Sequence, residues 1–125
     1  MTKHVITLPW STPPLSLNDR RHWAAHATIV DNIRQAAGFL ARAAQLGRYE
    51  HVTVTLHYRP RDKRTRDADN LVAVLKPLCD GLVDAQLVTD DDPERMTKHM
   101  PKIHPPQGKP VMWMEIDTSE GGLYP

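Results

Sequence analysis

The sequence predicts one small α/β or α+β domain, in which two main helices pack against a mixed sheet of about four strands. Three observations support this prediction. The apolar residues of one segment alternate as they do in a strand, and those of two longer segments recur at helical spacing. The length of 125 residues and the 40% hydrophobic content suit a single core, so residues 1–125 are expected to form one domain.

The first part of the chain is predicted to form one strand and the longer helix. Residues 4–8 make the strand, which Pro9 ends. The helix is expected from about residue 19 to residue 45, with Ser16 or Asn18 as its N-cap, because a short side-chain oxygen can accept from the free N–H groups of a first turn. Its apolar residues at helical spacing are Trp23, Ile29, Val30, Ile33, Ala37, Leu40 and Ala44.

The middle of the chain has the clearest periodicity. In residues 51–58, Val, Leu and Tyr alternate with His and Thr, which predicts a strand. A second helix is expected from about residue 70 to residue 83, and Pro77 inside it is expected to kink or break it. The apolar stripe of this helix consists of Leu71, Val74, Leu75, Leu78 and Leu82.

The last third of the chain is predicted to contain two strands and a tail. Residues 96–103 and 110–117 are the predicted strands, and a Pro- and Gly-containing loop joins them. Residues 118–125 are expected to be a flexible tail.

The composition argues against several classes of protein. No run approaches the roughly 18 consecutive apolar residues of a membrane span. The N-terminal residues lack the apolar region and cleavage site of a secretory signal peptide. Cys79 is the only cysteine, so the chain has neither an internal disulfide nor a thiolate-rich metal site. We therefore expect a cytoplasmic protein without a membrane partner.

The charge is distributed unevenly along the chain. The net charge is +1, yet residues 1–66 contain 11 Lys and Arg but 4 Asp and Glu, while residues 67–125 contain 5 Lys and Arg but 11 Asp and Glu. Halves of a chain interleave in space, so such a split often has no meaning. Here the sign changes abruptly where Arg64 and Arg66 run into Asp67 and Asp69. A site that binds both a polyanion and a divalent cation needs such a boundary.

Asp67 and Asp69 are candidate metal ligands. On an extended backbone, a spacing of two places both carboxylates on one face, which suits a hard cation such as Mg²⁺. The alternative is that Asp69 is an ordinary N-cap and Asp67 a solvated loop acid. Asp90, Asp91 and Asp92 form a third acidic element, which is either a solvated turn or a set of carboxylates that share a cation.

The second helix is predicted to carry Asp69, Lys76 and Asp80 opposite its apolar stripe. A charged outer face is usual for an amphipathic helix. Its functional interpretation is that Lys76, two turns from Asp69, reaches a phosphate bound near the metal and stabilises charge in the transition state.

Two runs of sequence together resemble the RusA family of Holliday-junction resolvases of bacteria and their phages. The first is R-T-R-D-A-D-N-L-x₄-K-x₃-D-x-L-x₇-D-D, from Arg64 to Asp91, and the second is S-L-N-D-R-R-H-W, residues 16–23. The resemblance covers about three-quarters of the chain. It implies a homodimeric, Mg²⁺- or Mn²⁺-dependent endonuclease that resolves four-way DNA junctions by paired nicks, in recombination, repair or phage DNA processing.

The resemblance also implies roles for individual residues. Asp67, Asp69 and Asp91 would bind the metal, with Asp90 in place of Asp91 if the register differs by one. Asn70 and Asp80 would support them. The family's catalytic lysine commonly lies three residues after the Asn, where this chain has Ala73, so Lys76 is expected to substitute for it. The expected DNA-backbone contacts are Arg61, Lys63, Arg64 and Arg66.

Two other functions stay open at this point. In the first, the chain is a non-catalytic DNA-binding module whose acids are structural. In the second, it is a metal-dependent phosphohydrolase of small substrates. The acids beside a basic run favour catalysis over the first, and the basic run favours a polyanion over the second.

Overall fold

The computed structural model describes residues 3–17, 19–119 and 122–123. It has two helices, α1 (Trp23–Ala44) and α2 (Val72–Asp84), and one five-stranded mixed sheet. The strands are β1 (Lys3–Thr7), β2 (Val52–Arg59), β3 (Met96–Lys98), β4 (Lys102–Ile103) and β5 (Val111–Asp117). Their order is β1-β5-β2-β3, and β4 also pairs with β2. The predicted α+β class, with two helices on a mixed sheet, is confirmed.

The core lies between the helices and one face of the sheet. β2 is central: it pairs antiparallel with β5 and parallel with β3 and β4. Its residues Val52, Val54 and Leu56 have no exposed surface. Met114 and Ile116 of β5, their neighbours in register, are equally buried. The strand predicted at 51–58 is therefore correct to within one residue.

The strand predicted at 96–103 is two strands. Pro101 has no N–H to donate to the ladder, so the pairing with β2 is interrupted between β3 and β4. His99 N still donates to Val54 O (3.0 Å), and His104 N donates to Tyr58 O (2.8 Å), so this segment follows β2 along its whole length.

The first helix begins later than predicted. Asp19 Oδ1 accepts from the backbone N–H of Arg21 (3.1 Å) and from its guanidinium (3.0 Å), which holds this segment in a turn. The N-cap is His22, whose Nδ1 accepts from Ala24 N (3.2 Å), and not Ser16. Asn18, the other predicted cap, lies outside the described residues.

The predicted stripe of α1 is wrong at its ends. The side chain of Trp23 is 76% exposed, because the first turn of the helix extends beyond the core. Ala44, in the last turn, is also exposed. Ile33, Ala37 and Ala41 are the residues that α1 buries in the core.

The second helix follows its prediction closely. The five residues of its predicted stripe are all buried, and so is Cys79, whose burial raises the pKa of its thiol to about 12. A 3₁₀ turn, Ala68–Leu71, precedes the helix. The helix does not break at Pro77: the residue lies inside it and is buried, so packing offsets the loss of one backbone hydrogen bond.

The helices approach most closely at Gly38 and Gly81. A Cβ placed on Gly81 would lie 2.3 Å from the carbonyl oxygen of Arg34 and 2.9 Å from the amide nitrogen of Gly38. Beside this contact, the guanidinium of Arg34 donates two hydrogen bonds to the carboxylate of Asp84, at 2.6 and 2.8 Å. The helix pair is thus held by steric fit and by one bidentate ion pair.

The predicted tail, 118–125, lies partly outside the described residues. Of its described members, Thr118 is buried and Leu123 pairs with Tyr49. No helix in the described part of the chain is long and apolar enough to cross a membrane.

Candidate functional site

The basic loop after β2 contains its own counter-ion, Asp62. One carboxylate oxygen accepts from the Arg64 backbone N–H (3.1 Å) and from the Arg66 guanidinium (2.8 Å), and the other accepts from the Arg64 guanidinium (3.0 Å). The hydrogen bonds to its carboxylate, of which the one from Arg66 has the largest effect, hold the pKa of Asp62 well below its ordinary value. Asp62 is not among the predicted site residues, although its position two residues before Arg64 and four before Arg66 is visible in the sequence.

The four residues predicted to contact phosphate therefore differ in the contacts that their side chains already make. Arg66 also donates to the carbonyls of Asp62 (2.9 Å) and Arg64 (3.0 Å), so it is fixed in the loop. Arg61 and Lys63 are exposed, and neither forms an ion pair with a residue in the described ranges. Arg64 is exposed as well but pairs with Asp62, so Arg61 and Lys63 are the exposed cations of the loop whose charge no described acid neutralises.

Asp67 and Asp69 lie at the 3₁₀ turn that leads into α2. Asp67 has an extended backbone, and its carbonyl accepts from Asn70 N (3.1 Å). Its side chain makes no capping hydrogen bond, and the N-cap of α2 itself is Leu71. The alternative of Asp69 as an ordinary N-cap is therefore wrong. Both carboxylates are exposed and form no ion pair with any described residue.

Asp91 is held by two lysines from different elements. Its Oδ2 accepts from Lys76 Nζ of α2 (2.7 Å) and from Lys98 Nζ of β3 (3.0 Å). Lys76 also donates to Asp80 Oδ1 (2.9 Å). The hydrogen bonds from Lys76 and then from Lys98 lower the pKa of Asp91 to about 2, and the hydrogen bonds to Asp91 and then to Asp80 raise the pKa of Lys76. We call Lys76, Asp80, Asp91 and Lys98 the lysine–aspartate cluster.

The three adjacent acids have different roles. Asp90 Oδ1 accepts from Asp91 N (2.8 Å). Asp92 Oδ1 accepts from the backbone N–H groups of Glu94 and Arg95, both at 3.1 Å, and its Oδ2 pairs with the Arg95 guanidinium at 2.6 Å. Of the three, Asp91 contacts Lys76. Lys98 was not predicted, because no local spacing relates a strand residue to the helix it faces.

The carboxylates have the donor chemistry of a Mg²⁺ site, but they are not assembled into one. No three His, Cys, Asp or Glu side chains in the described ranges lie close enough together to hold a metal ion. Asp67 and Asp69 are exposed oxygen donors, but the 3₁₀ turn begins at Ala68, so the extended backbone on which they were expected to share one face does not continue to Asp69. Asp91 does not fit as it stands, since its Oδ2 already contacts two ammonium groups. The three-ligand site stays a prediction.

A pocket of about 480 Å³ adjoins Asp67. Ser16, from the loop before α1, lines it together with Asp67 and Asn70, so two runs that are distant in sequence share one pocket. The guanidinium carbon of Arg66 lies 5.9 Å from the centre of the Tyr58 ring beneath it. The complete lining is Pro13, Leu15, Ser16, Tyr58, Thr65, Arg66, Asp67, Asn70, Leu71 and Ile103.

Comparison with models of known protein families finds no match to the chain. A protein of Xylella fastidiosa that carries the description "Uncharacterized protein" is 32% identical over 90 residues. The match covers 68% of this chain and 59% of that protein, so the chain spans less than two thirds of the relative's length.

Proposed function

We propose that the chain is a structure-selective DNA endonuclease that resolves four-way junctions in the bacterial cytoplasm, as its resemblance to the RusA family implies. The observation that carries the proposal is the contact of Asp91, a ligand that the resemblance implies, with Lys76, the expected substitute for the family's lysine, because the two lie in different elements. The meeting of Ser16 with Asp67 and Asn70 in one pocket supports it independently.

The residues divide the work by position. Asp67 and Asp69 present exposed carboxylates to a divalent cation, and Asp91 would join them as the third ligand only on exchanging its contacts with Lys76 and Lys98 for the cation. The cation, when bound, polarises the scissile phosphate and activates water. Lys76 neutralises charge on the phosphate, Asp80 positions Lys76, and Arg61 and Lys63 contact the neighbouring backbone. Paired nicks need two such sites, so the active species is a homodimer.

The test compares two Asp→Asn variants on a labelled four-way junction. Asp69→Asn is expected to lower nicking by at least roughly a hundredfold and to leave junction binding within about threefold of wild type, because it removes a ligand and not a DNA contact. Asp31→Asn, on the exposed surface of α1, is the matched control and is expected to nick normally. Unchanged nicking by Asp69→Asn would refute the proposal.

A non-catalytic DNA-binding module is the second candidate, and one observation favours it. Two ammonium groups already neutralise Asp91, as expected of a structural acid that fixes lysines beside DNA. In that case wild-type protein shifts the junction in a gel but leaves it uncut with Mg²⁺ or Mn²⁺. Nicks at paired positions, restricted to the junction and absent from a linear duplex, decide for the endonuclease.

A further inference from the structure

The pocket beside Asp67 has two chemically distinct parts. Its deeper lining is apolar: Leu15 and Leu71 are each 3% exposed, and Tyr58 is 4% exposed. Its polar lining residues are Ser16, Thr65, Arg66, Asp67 and Asn70. A volume of about 480 Å³ is within the range of sites that enclose a small molecule.

This arrangement suits one flat heterocycle with polar edges. Apolar walls accept the faces of a ring, while the Asn70 amide and the Ser16 and Thr65 hydroxyls offer both donors and acceptors to its edge. The Arg66 guanidinium is fixed by Asp62 at 2.8 Å, so it presents a rigid planar surface for stacking.

The surroundings of the pocket indicate what the ring is attached to. Arg61 and Lys63, in the loop that leads to Asp67, are exposed cations that attract a phosphate backbone. Asp67 at the rim repels a phosphate unless a divalent cation lies between them. A nucleotide whose base enters the pocket therefore has its phosphate where the proposed metal pair, Asp67 and Asp69, needs it.

We propose that this pocket binds one unstacked base of the DNA substrate, next to the phosphate to be cut. The inference rests on the proposed function, and it adds a base-binding site to the phosphate- and metal-binding residues. Bases at a branch point are less constrained by stacking than those inside a duplex, so taking one out of the helix costs less there. The pocket would thereby help to select branched DNA over duplex DNA.

The test uses 2-aminopurine, a base whose fluorescence rises when it leaves the stack, placed at the branch point of a four-way junction. Binding is measured with Ca²⁺ in place of Mg²⁺, so that a divalent cation is present between Asp67 and the phosphate, and denaturing gels check that the junction stays uncut. Wild-type protein is expected to raise the fluorescence several-fold at the branch point and not at an arm position. Thr65→Leu and Ser16→Leu, which add bulk to the pocket lining from two different segments of the chain, are expected to abolish the rise and to weaken junction binding about tenfold, as loss of base stacking does.

Thr7→Leu makes the same chemical change on an exposed residue of β1 and is expected to behave as wild type. Circular dichroism checks that each variant is folded. Because there are two pocket variants, the test can still be read if one of them misfolds. Equal fluorescence for wild type and both folded pocket variants would overturn the inference. Competition by a mixture of free deoxynucleoside monophosphates, at concentrations near the Kd of the junction, would also overturn it. The pocket would then be a site for free nucleotides and not for a base of the DNA substrate.

The outcome separates this inference from the proposed function. If wild-type protein nicks the junction in Mg²⁺ and the pocket variants keep the fluorescence rise, the endonuclease function stands and the base-binding site is refuted. A rise that the pocket variants abolish, without nicking by wild type, supports the base site in a DNA-binding module.

Discussion

Replacing Gly81 by alanine should destabilise the fold more than its small size suggests. The added Cβ would lie 2.3 Å from the Arg34 carbonyl oxygen, 2.7 Å from the Ala37 Cβ and 2.9 Å from the Gly38 amide nitrogen, whereas ordinary contact begins near 3.4 Å. Two of these atoms belong to the backbone of α1 and cannot rotate away. The helices must therefore separate by roughly 1 Å at this point, which opens a close-packed core.

The magnitude follows from two opposing terms. Overpacking of this kind costs about 3 kcal/mol, and alanine returns about 1 kcal/mol through its higher helix propensity. The net loss is about 2 kcal/mol before any weakening of the Arg34–Asp84 ion pair, whose shortest contact is 2.6 Å. For a domain of this size, that loss lowers Tm by about 8–10 °C.

Gly38→Ala is the matched control in the facing helix. Its Cβ would lie 3.3 Å from the Gly81 carbonyl oxygen and 3.5 Å from the Arg42 guanidinium, so a small adjustment suffices. The gain in helix propensity should offset this strain, leaving Tm within about 3 °C of wild type. Thermal and urea unfolding followed by circular dichroism measure both variants. A Gly81→Ala protein as stable as wild type, or less affected than Gly38→Ala, would refute the steric argument.

Two further predictions concern charge. Lys63→Ala should reduce the slope of log K against log salt for DNA binding by about 0.9. Arg64→Ala should change this slope by less than half as much, because Asp62 already neutralises Arg64. Equal slopes for the two variants would contradict this. The Asp91 pKa falls from 3.8 to about 2 on folding, so its ion pairs stabilise the protein above about pH 4 and are lost as the pH falls towards 2. After allowance for solvent screening, these ion pairs contribute about 1 kcal/mol to the free energy of unfolding. Asp91→Asn should remove that part of the stability lost between pH 4 and pH 2, as measured by urea unfolding at each pH. An unchanged pH profile would show that the lysine contacts contribute nothing.

The elements predicted well are those in which one face of a regular structure enters the core. The stripe of α2 and the apolar positions of β2 are buried in the core, so periodicity finds both elements, although Thr55 and His57 of β2 are buried as well. The start of α1 was predicted too early because the Asp19 side chain bonds locally to Arg21, which competes with the helix. The break between β3 and β4 comes from Pro101. The proline is visible in the sequence, but the sequence does not show that this segment pairs with β2.

Local patterns predict the candidate site only where its residues share one segment, whereas Asp91 and Lys76, which lie in different elements, were placed together through the family resemblance. Asp67 and Asp69 follow from local spacing and charge. Lys98 and the pocket residue Ser16 reach the site through strand pairing and loop packing, which no local pattern encodes. Asp62 was missed for a different reason, since its alternation with Arg64 and Arg66 was counted as part of a basic run.

The position of β1 also has a consequence for the order of folding. β1 pairs only with β5 among the described strands, and its first residue, Lys3, lies opposite Asp117. β1 is therefore synthesised well before its partner and has to wait until β5 has emerged. Until then its hydrogen-bonding edge is unsatisfied, with Val5 and Ile6 accessible to other chains. Because closing so long a loop delays the pairing, the final step of folding is expected to be the docking of β1, on a millisecond-to-second timescale.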